Sequence, residues 1–412
     1  MKLIHTADLH LGQVIYQNYG REDEHRHFFR QLISWCVEYH PDALLVCGDV
    51  FDIQQPGAGV RQAFADIAAE IHSACPSMKI VIVAGNHDSA SRIQSDRAVW
   101  KYANAELVGT APSSDLLEAP DGWQDDYIVE IPEGFIIALP YMNGERKEII
   151  QSLLDRAASR NIAGKPVVMT GHLAVTGSDF SGHGFDIGNI RTQSPDELGQ
   201  GYDYLALGHI HKPQTVGHDE DMYSDDVTLP SGVIRYSGSA LHVSCDETYP
   251  HSVSLVDIDR RGGNVRIRQL RINQLRHFFD LPENGASFKT ESEALCGIRD
   301  FISEGKEGYI RLRIESSADV SADFNQKVYD IISESGDKVR YNPKIIWTGV
   351  PDESERNSFL PRFEVADLQQ MEDPLEFVER TIDRYPGLSL DEIREAFGEV
   401  AAEVQRMKNE RN

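Results

Sequence analysis

Apolar positions along the first half of the chain follow two alternating rhythms. Short runs rich in Leu, Val and Ile occur at Lys2 to Thr6, Ala43 to Cys47, Ile80 to Ala84, Phe135 to Leu139, Pro166 to Thr170 and Tyr204 to Leu207. Their length and branched content fit strands buried on both faces of a mostly parallel sheet. Between the first of them, residues 22–39 put Phe28, Phe29, Leu32, Ile33, Cys36 and Val37 on one helical face, and a second helix carries Val60, Phe64, Ile67 and Ile71. A polar helix over residues 145–160 follows the acidic stretch 110–134, which reads as surface loop and edge strand. Strand–helix alternation of this kind predicts an α/β layered core. Val233–Ser237 and Ser252–Ile258 are expected to complete a second sheet layer.

Near residue 275 the pattern changes. Residues 291–302 and 323–335 have helical periodicity, and Gly308 to Ile314 alternates apolar and basic positions as a half-exposed strand should. Residues 278–350 therefore read as a small α+β domain. Arg311, Arg313, Arg340 and Lys344 offer either a local basic face or a solvated strand face. The tail carries two amphipathic patterns. Asp373-Pro374 opens the first, with Leu375, Val378, Ile382 and Tyr385 at helical spacing, and Pro386-Gly387 ends it. Ser389 and Glu392 form a capping box for the second, which places Leu390, Ile393, Phe397, Val400, Val404 and Met407 on one stripe. Such a pair can dock on its own domain or clasp a partner helix or coiled coil.

Composition narrows the class. At 412 residues, two or three domains are expected. Hydrophobic residues make up 41% and charged residues 26%, as in a soluble globular protein, and no apolar run approaches the roughly 20 residues that span a bilayer. The chain runs straight into its first strand without a signal-peptide core. Its five scattered cysteines lack CxxC spacing, which predicts reduced thiols in the cytoplasm. The net charge of −26 excludes a protein that grips nucleic acid through its overall field. A DNA substrate would need bound cations, a local basic patch or a partner. No internal repeat, P-loop or dinucleotide fingerprint is present.

The chemistry gathers at the strand ends, where open α/β sheets place their ligands. The first strand ends in Asp8-x-His10, which extended backbone can direct to one point. The others end in Gly48-Asp49-Val50-Phe51-Asp52, Gly85-Asn86-His87-Asp88, Gly171-His172 and Gly208-His209-Ile210-His211. Asp8, His10, Asp49, Asn86, His172, His209 and His211 are too many ligands for one metal and about right for two, with a carboxylate bridging the cations. Asp49, on a central strand, is the natural bridge. Mixed N/O donors favour Mn²⁺ or Fe²⁺ over Mg²⁺ or Ca²⁺, and the absence of Cys argues against structural zinc. His183, in a glycine-rich loop, reads as a loop histidine and not as a ligand.

In this order, D-x-H, G-D-x-x-D, G-N-H-D, G-H and G-H-x-H resemble the signature of the calcineurin-like metallophosphoesterases. Ile4 to Gly12, Gly48 to Asp52, Gly85 to Ser89 and Tyr236-Ser237-Gly238-Ser239 are further similar to the SbcD-type members of the double-strand-break repair nuclease family. The resemblance implies a four-layer α-β-β-α metallophosphoesterase core with a small α+β capping domain and a C-terminal helical tail. The corresponding boundaries are 1–275 for the nuclease domain, 276–350 for the capping, DNA-binding domain and 351–412 for the tail. It implies two metals, most simply Mn²⁺, one held by Asp8, His10, Asp49 and His211 and the other by Asp49, Asn86, His172 and His209. His87 matches the family's general acid, or else a contact to substrate phosphate, and Asp52 matches the acid that orients it.

By the same resemblance the substrate is DNA, cut 3′ to 5′ from ends and within single strands and hairpins. The protein would act as a homodimer whose tails bind a coiled-coil, SMC-like ATPase of the SbcC type, away from any membrane. The metal centre alone does not set the substrate. The alternatives are a general metallophosphoesterase acting on nucleotides or small phosphodiesters, and a scaffold that has lost its metals, which the complete ligand set argues against.

Overall fold

The computed structural model describes residues 1–16, 18–120, 122–142, 146–181, 192–218 and 225–349. His183 and the helical patterns of the tail lie outside these residues. The chain divides into two compact units, residues 1–314 with 318–346, and residues 315–317 with 347–412. In the second unit the Ser316 amide donates to the Thr348 carbonyl at 2.8 Å.

The first unit is built on two sheets. One contains β1 (Lys2–Thr6), β2 (Ala43–Cys47), β3 (Lys79–Val83) and β4 (Ala105–Val108). The other contains β5 (Ile128–Ile131), β6 (Gly134–Ile137), β7 (Val167–His172), β8 (Tyr204–Gly208), β9 (Gln214–Thr215) and, later in the chain, β11 (Val233–Tyr236). Three further strands, β10 (Asp226–Leu229), β12 (Ser252–Ile258) and β13 (Val265–Arg271), return to the first sheet, whose order is β10-β13-β12-β1-β2-β3-β4. The second sheet runs β9-β11-β8-β7-β6-β5.

Side-chain alternation divides each strand between two cores. In β2, Leu45 and Cys47 face the second sheet and pack with Val81, Val83, Val168, Tyr204 and Ala206. Leu44 and Val46 point the other way, toward Phe28, Leu32 and Cys36 of α1 (Glu22–Tyr39), Phe64 and Ile71 of α2 (Ala58–Ala74) and Ile93 of α3 (Ala90–Trp100). Behind the second sheet, Met169, Leu205 and Leu207 meet Ile149, Ile150, Leu153, Leu154 and Ala157 of α4 (Lys147–Arg160). Helix, sheet, sheet and helix thus form four layers. Burial of side chains on both faces explains the near-continuous apolar runs of these strands.

Some expectations change. Ser252–Ile258 joins the first sheet, not the second, lying antiparallel to β1 with Lys2 opposite Asp257. Val37 is 46% exposed, off the buried stripe of α1. The helix read as polar buries five apolar side chains.

The region after β13 has its own core. β14 (His277–Leu281), β15 (Gly308–Glu315) and β16 (Val339–Tyr341) form a parallel sheet beneath α5 (Glu291–Ser303) and α6 (Phe324–Ser333). Ile310, Leu312 and Ile314 pack there against Ile298, Phe301, Val328 and Ile332. Three of the arginines read as a possible basic face are neutralised within the chain. Arg311 and Arg313 reach Asp280 at 2.7 and 2.8 Å, and Arg340 reaches Glu24 at 3.1 Å.

Candidate metal centre

The seven donors come from five strand ends. β1, β2 and β3 of the first sheet lead into Asp8, His10, Asp49 and Asn86. β7 and β8 of the second sheet deliver His172, His209 and His211. The cluster therefore sits across the carboxyl ends of both sheets, and the glycines of its motifs let those ends close on one another. A Cβ on Gly48, whose φ is 86°, would lie 2.1 Å from His172 Nδ1, and one on Gly85 would lie 2.1 Å from Asp49 Oδ1. Neither position admits another residue without opening the cluster.

The backbone here is held in conformations that side chains disfavour. Asp8, His10, Asp49 and His209 have φ of 51°, 46°, 48° and 91°. Left-handed backbone at such residues costs on the order of 1–3 kcal/mol each and persists only where surrounding contacts impose it. Those contacts are visible. The amides of Asp8, His10 and Leu11 donate to the carbonyls of Gly48, Asp49 and Val50, each at 3.0 Å. Buried Asp88 accepts the amides of Val50, Phe51 and Gly85 at 3.1, 2.9 and 2.8 Å, lashing the second and third strand ends together.

Within this frame Asp49 is central. Its Oδ2 lies 3.4 Å from His172 Nε2 and 3.9 Å from His10 Nε2, while its Oδ1 accepts the His87 amide at 2.8 Å. Asn86 Oδ1 lies 2.9 Å from His172 Nε2 and 3.0 Å from His209 Nδ1. Asp8 accepts the His209 amide at 3.0 and 3.1 Å on its two oxygens. Donor atoms of Asp8, His10 and His211 lie within 4.8 Å of one another, as do those of Asp8, Asp49 and His172, and those of His10, Asp49 and His87. Two groups share Asp8 and two share Asp49. All seven donors are thus brought together, and His87 stands closer to them than its place outside the ligand pattern implied.

The electrostatics are those of crowded, buried charge. Burial pushes the Asp8 carboxyl above the usual range. Burial acts on Asp49 in the same direction, but His172, His10 and His87 outweigh it and hold that carboxyl well below the usual range. Burial disfavours the His172 imidazolium, yet Asp49 and Asp8 raise it to about 9. His211 is pushed down by burial to about 4.

The residues fit divalent cations. Both ring nitrogens of His10 are buried without a hydrogen-bond partner, an expensive state for a purely structural histidine. His172 Nδ1–H donates to the Cys47 carbonyl at 2.9 Å, which turns Nε2 toward Asp49 and Asn86. His211 Nδ1 lies 2.8 Å from Glu247 Oε1. Imidazole ligands characteristically have their other ring nitrogen held in this way.

Two differences from expectation stand out. The Asp52 carboxylate was expected on His87. Instead the Asp52 main-chain carbonyl lies 2.9 Å from His87 Nδ1, and the carboxylate turns toward the His10 ring, 3.2 Å from Nδ1 but outside hydrogen-bonding geometry. Glu247 belongs to no motif, 36 residues beyond the histidine it holds, and sequence reasoning missed it. A partial signal existed in Tyr236-Ser237-Gly238-Ser239, since the Ser239 amide donates to the His211 carbonyl at 3.0 Å and fixes this loop against the site.

Comparison with known proteins identifies the family. The family model for calcineurin-like phosphoesterases matches residues 1–213. The chain is 29% identical to the SbcD component of nuclease SbcCD from Rhodobacter capsulatus, over 70% of its own length and 73% of that protein's. It is 30% identical to the Escherichia coli protein of the same name, over 60% of this chain and 62% of the relative. For the Bacillus subtilis protein the identity is 25%, over 62% and 66%. The chain thus spans just under two thirds of the length of the latter two. A Pseudomonas putida nuclease of solved structure aligns at TM-score 0.20 and 14% identity, covering 41% of this chain and 61% of that one, too little to bear on the fold.

Proposed function

The chain belongs to the calcineurin-like phosphoesterase family, metal-dependent hydrolases of phosphoester bonds, and from that premise we propose that it is a two-metal DNA nuclease. The observation that carries this reading is the convergence of seven Asp, Asn and His donors from the ends of both sheets. Similarity to the SbcD components of nuclease SbcCD supports DNA as the substrate. In this reading the enzyme is a 3′–5′ exonuclease and a single-strand and hairpin endonuclease in DNA end processing, repair and recombination. It works in the cytoplasm as a homodimer with an SbcC-like coiled-coil ATPase bound through residues 351–412. Residues 1–275 form the nuclease domain and 276–350 the capping domain. Among the described residues no helix is long and apolar enough to cross a membrane.

Asp8, His10, Asp49 and His211 would hold one cation, and Asp49, Asn86, His172 and His209 the other, with Mn²⁺ the best match to the N/O donor set. When bound, the cations acidify water and offset charge on the transferring phosphate. The remaining work falls to the chain. Asp49 keeps its charge against burial and so can serve two cations at once. The Asp52 carbonyl takes the His87 Nδ1–H, leaving His87 Nε2 as the atom that passes a proton to the leaving oxygen. Asp88 holds Asp49 and His87 in register through three backbone amides. The acidic surface repels DNA, so the ATPase partner supplies much of the grip.

The decisive test is cleavage of a labelled DNA hairpin with Mn²⁺ by the wild type and by His87→Ala, with an EDTA control. Metal-dependent cleavage that falls by a factor of about 10² or more in the variant, at unchanged metal content, supports both substrate and proton donor. Turnover of a small phosphodiester with no DNA cleavage, even with the ATPase and ATP, would replace the nuclease by a general phosphoesterase.

A further inference from the structure

Beside the metal centre lies a second group of metal-type donors, of which Glu247 alone also contacts a proposed ligand of the catalytic pair. His242, Glu247 and His251 each present a donor atom within 4.8 Å of the others. The two imidazole rings are 4.1 Å apart, centroid to centroid, and His251 Nε2 lies 3.5 Å from Glu247 Oε2. Glu247 and His251 are each only 2% exposed.

Hydrogen bonding settles which atoms are available. A carbonyl only accepts, so His251 Nδ1, 2.9 Å from the Ser239 carbonyl, must carry the proton and donate it. The lone pair is then on Nε2, which is buried without a hydrogen-bond partner. His242 Nδ1 donates in the same way to the Glu247 carbonyl at 2.9 Å, placing its lone pair on Nε2. Two neutral imidazoles with their Nδ1–H groups anchored on backbone carbonyls, beside one carboxylate oxygen, are arranged as ligand histidines are. Glu247 Oε2 also accepts the Val243 amide at 2.9 Å, which fixes its direction. Buried Arg21 donates to the His242 carbonyl at 2.5 Å, but its charge is matched by Glu24 at 2.6 Å. Access is provided by an open cavity of about 530 Å³ lined by His242, Glu247, Cys245 and His277.

We infer that His242, Glu247 and His251 form a third divalent-cation site, of the zinc type, separate from the catalytic pair. Two imidazoles and a carboxylate, with one position open to water, suit Zn²⁺ better than they suit the hard, oxygen-seeking cations. The site is linked to the catalytic centre through a single side chain, because the other oxygen of Glu247 holds His211. Occupancy at one end therefore bears on the imidazole at the other.

The test counts metal in the full-length protein, first loaded with Mn²⁺ and then dialysed against Zn²⁺. The wild type is expected to retain one equivalent of total metal more than His251→Gln or His242→Gln. Co²⁺ in place of Zn²⁺ should give visible absorption of a low-coordinate site in the wild type that both variants lack. Circular dichroism establishes folding, and if His251→Gln is unfolded, His242→Gln at its half-exposed position decides. Equal metal content in the wild type and a folded variant would overturn the site. Hairpin cleavage is assayed in parallel. Cleavage without the extra equivalent removes this site and leaves the nuclease reading intact, and the extra equivalent without cleavage does the reverse.

Discussion

Two buried polar regions of this protein, one at the strand ends and one beneath α1, are built on opposite electrostatic principles. At the strand ends, Asp8 and Asp49 crowd together with His10, His172 and His211, and both nitrogens of His10 lack hydrogen bonds. Beneath α1, Glu24 is equally buried but fully matched. Its carboxylate receives Arg21 at 2.6 Å, the Tyr309 hydroxyl at 2.6 Å and Arg340 at 3.1 Å. The second region satisfies its charges within the chain and ties the body to residues 276–346. The first does so only in part, with Asp49 held by His172 while burial pushes Asp8 above its usual range, and its geometry survives because strained backbone, Asp88 and motif glycines impose it. Buried charge that the fold leaves unbalanced marks a place for something the chain does not itself supply.

The comparison can be broken most easily at Asp49. Asp49→Asn should lower hairpin cleavage by at least about 10³-fold, since several kcal/mol of charge stabilisation depend on the shared carboxylate. At pH 7 the metal-free variant should also melt lower than the wild type, because His172, His10 and His87 stabilise the Asp49 charge in the fold and that stabilisation is lost. Glu24→Gln should act on stability alone. Removing one member of a matched buried network costs about 3–5 kcal/mol in denaturant unfolding, with little change in cleavage per folded molecule.

Metal addition sharpens the contrast. Mn²⁺ at about a hundred times its dissociation constant should stabilise the wild type by about 2.7 kcal/mol. Differential scanning calorimetry should find that gain in Glu24→Gln and largely missing in Asp49→Asn.

The smallest effect concerns His5, a buried residue that resembles neither region. Tyr204 OH donates to its Nδ1 at 2.9 Å and its Nε2–H donates to the Leu207 carbonyl at 3.2 Å, so the neutral ring is satisfied. Burial, reinforced by Arg235, lowers its pKa to about 3. Below pH 6.5 the unfolded chain therefore binds a proton that the folded chain refuses. Stability present above that pH is lost progressively as the pH falls toward 3. The loss amounts to about 2 kcal/mol by pH 5. Urea titrations of the wild type and His5→Gln should differ in slope over this range, and identical slopes would place a charged imidazole in the native core.

Much of this was legible because metal donors at strand ends leave a local mark. Asp8, Asp49, Asn86, His172 and His209 each follow a short apolar run within a few residues, and the adjoining Gly48 and Gly85 are demanded by sub-3 Å approaches that no side chain tolerates. What stayed hidden depends on partners distant in sequence. Nothing in the alternation of Ser252–Ile258 says that its neighbour is β1 instead of β11. The pairing of Arg340 with Glu24 joins residues 316 apart, so a basic face on paper becomes an internal anchor in the fold. Glu247 acts through contact alone and carries no spacing signature. The Asp52 carbonyl contact is a main-chain property, invisible to any reading of residue types.

The pairing of β1 with β12 has a consequence in time. A ribosome delivers Asp8, His10 and Asp49 early, but β1 lacks its neighbour on one side until Ser252–Ile258 emerges, with Lys2 opposite Asp257. His209 and His211 also arrive only after half the chain has been made. A polypeptide abandoned before that point carries the first carboxylates without the histidines that complete the cluster. The order of translation thus acts as a safety catch, since a copy interrupted before that point does not assemble the full donor set.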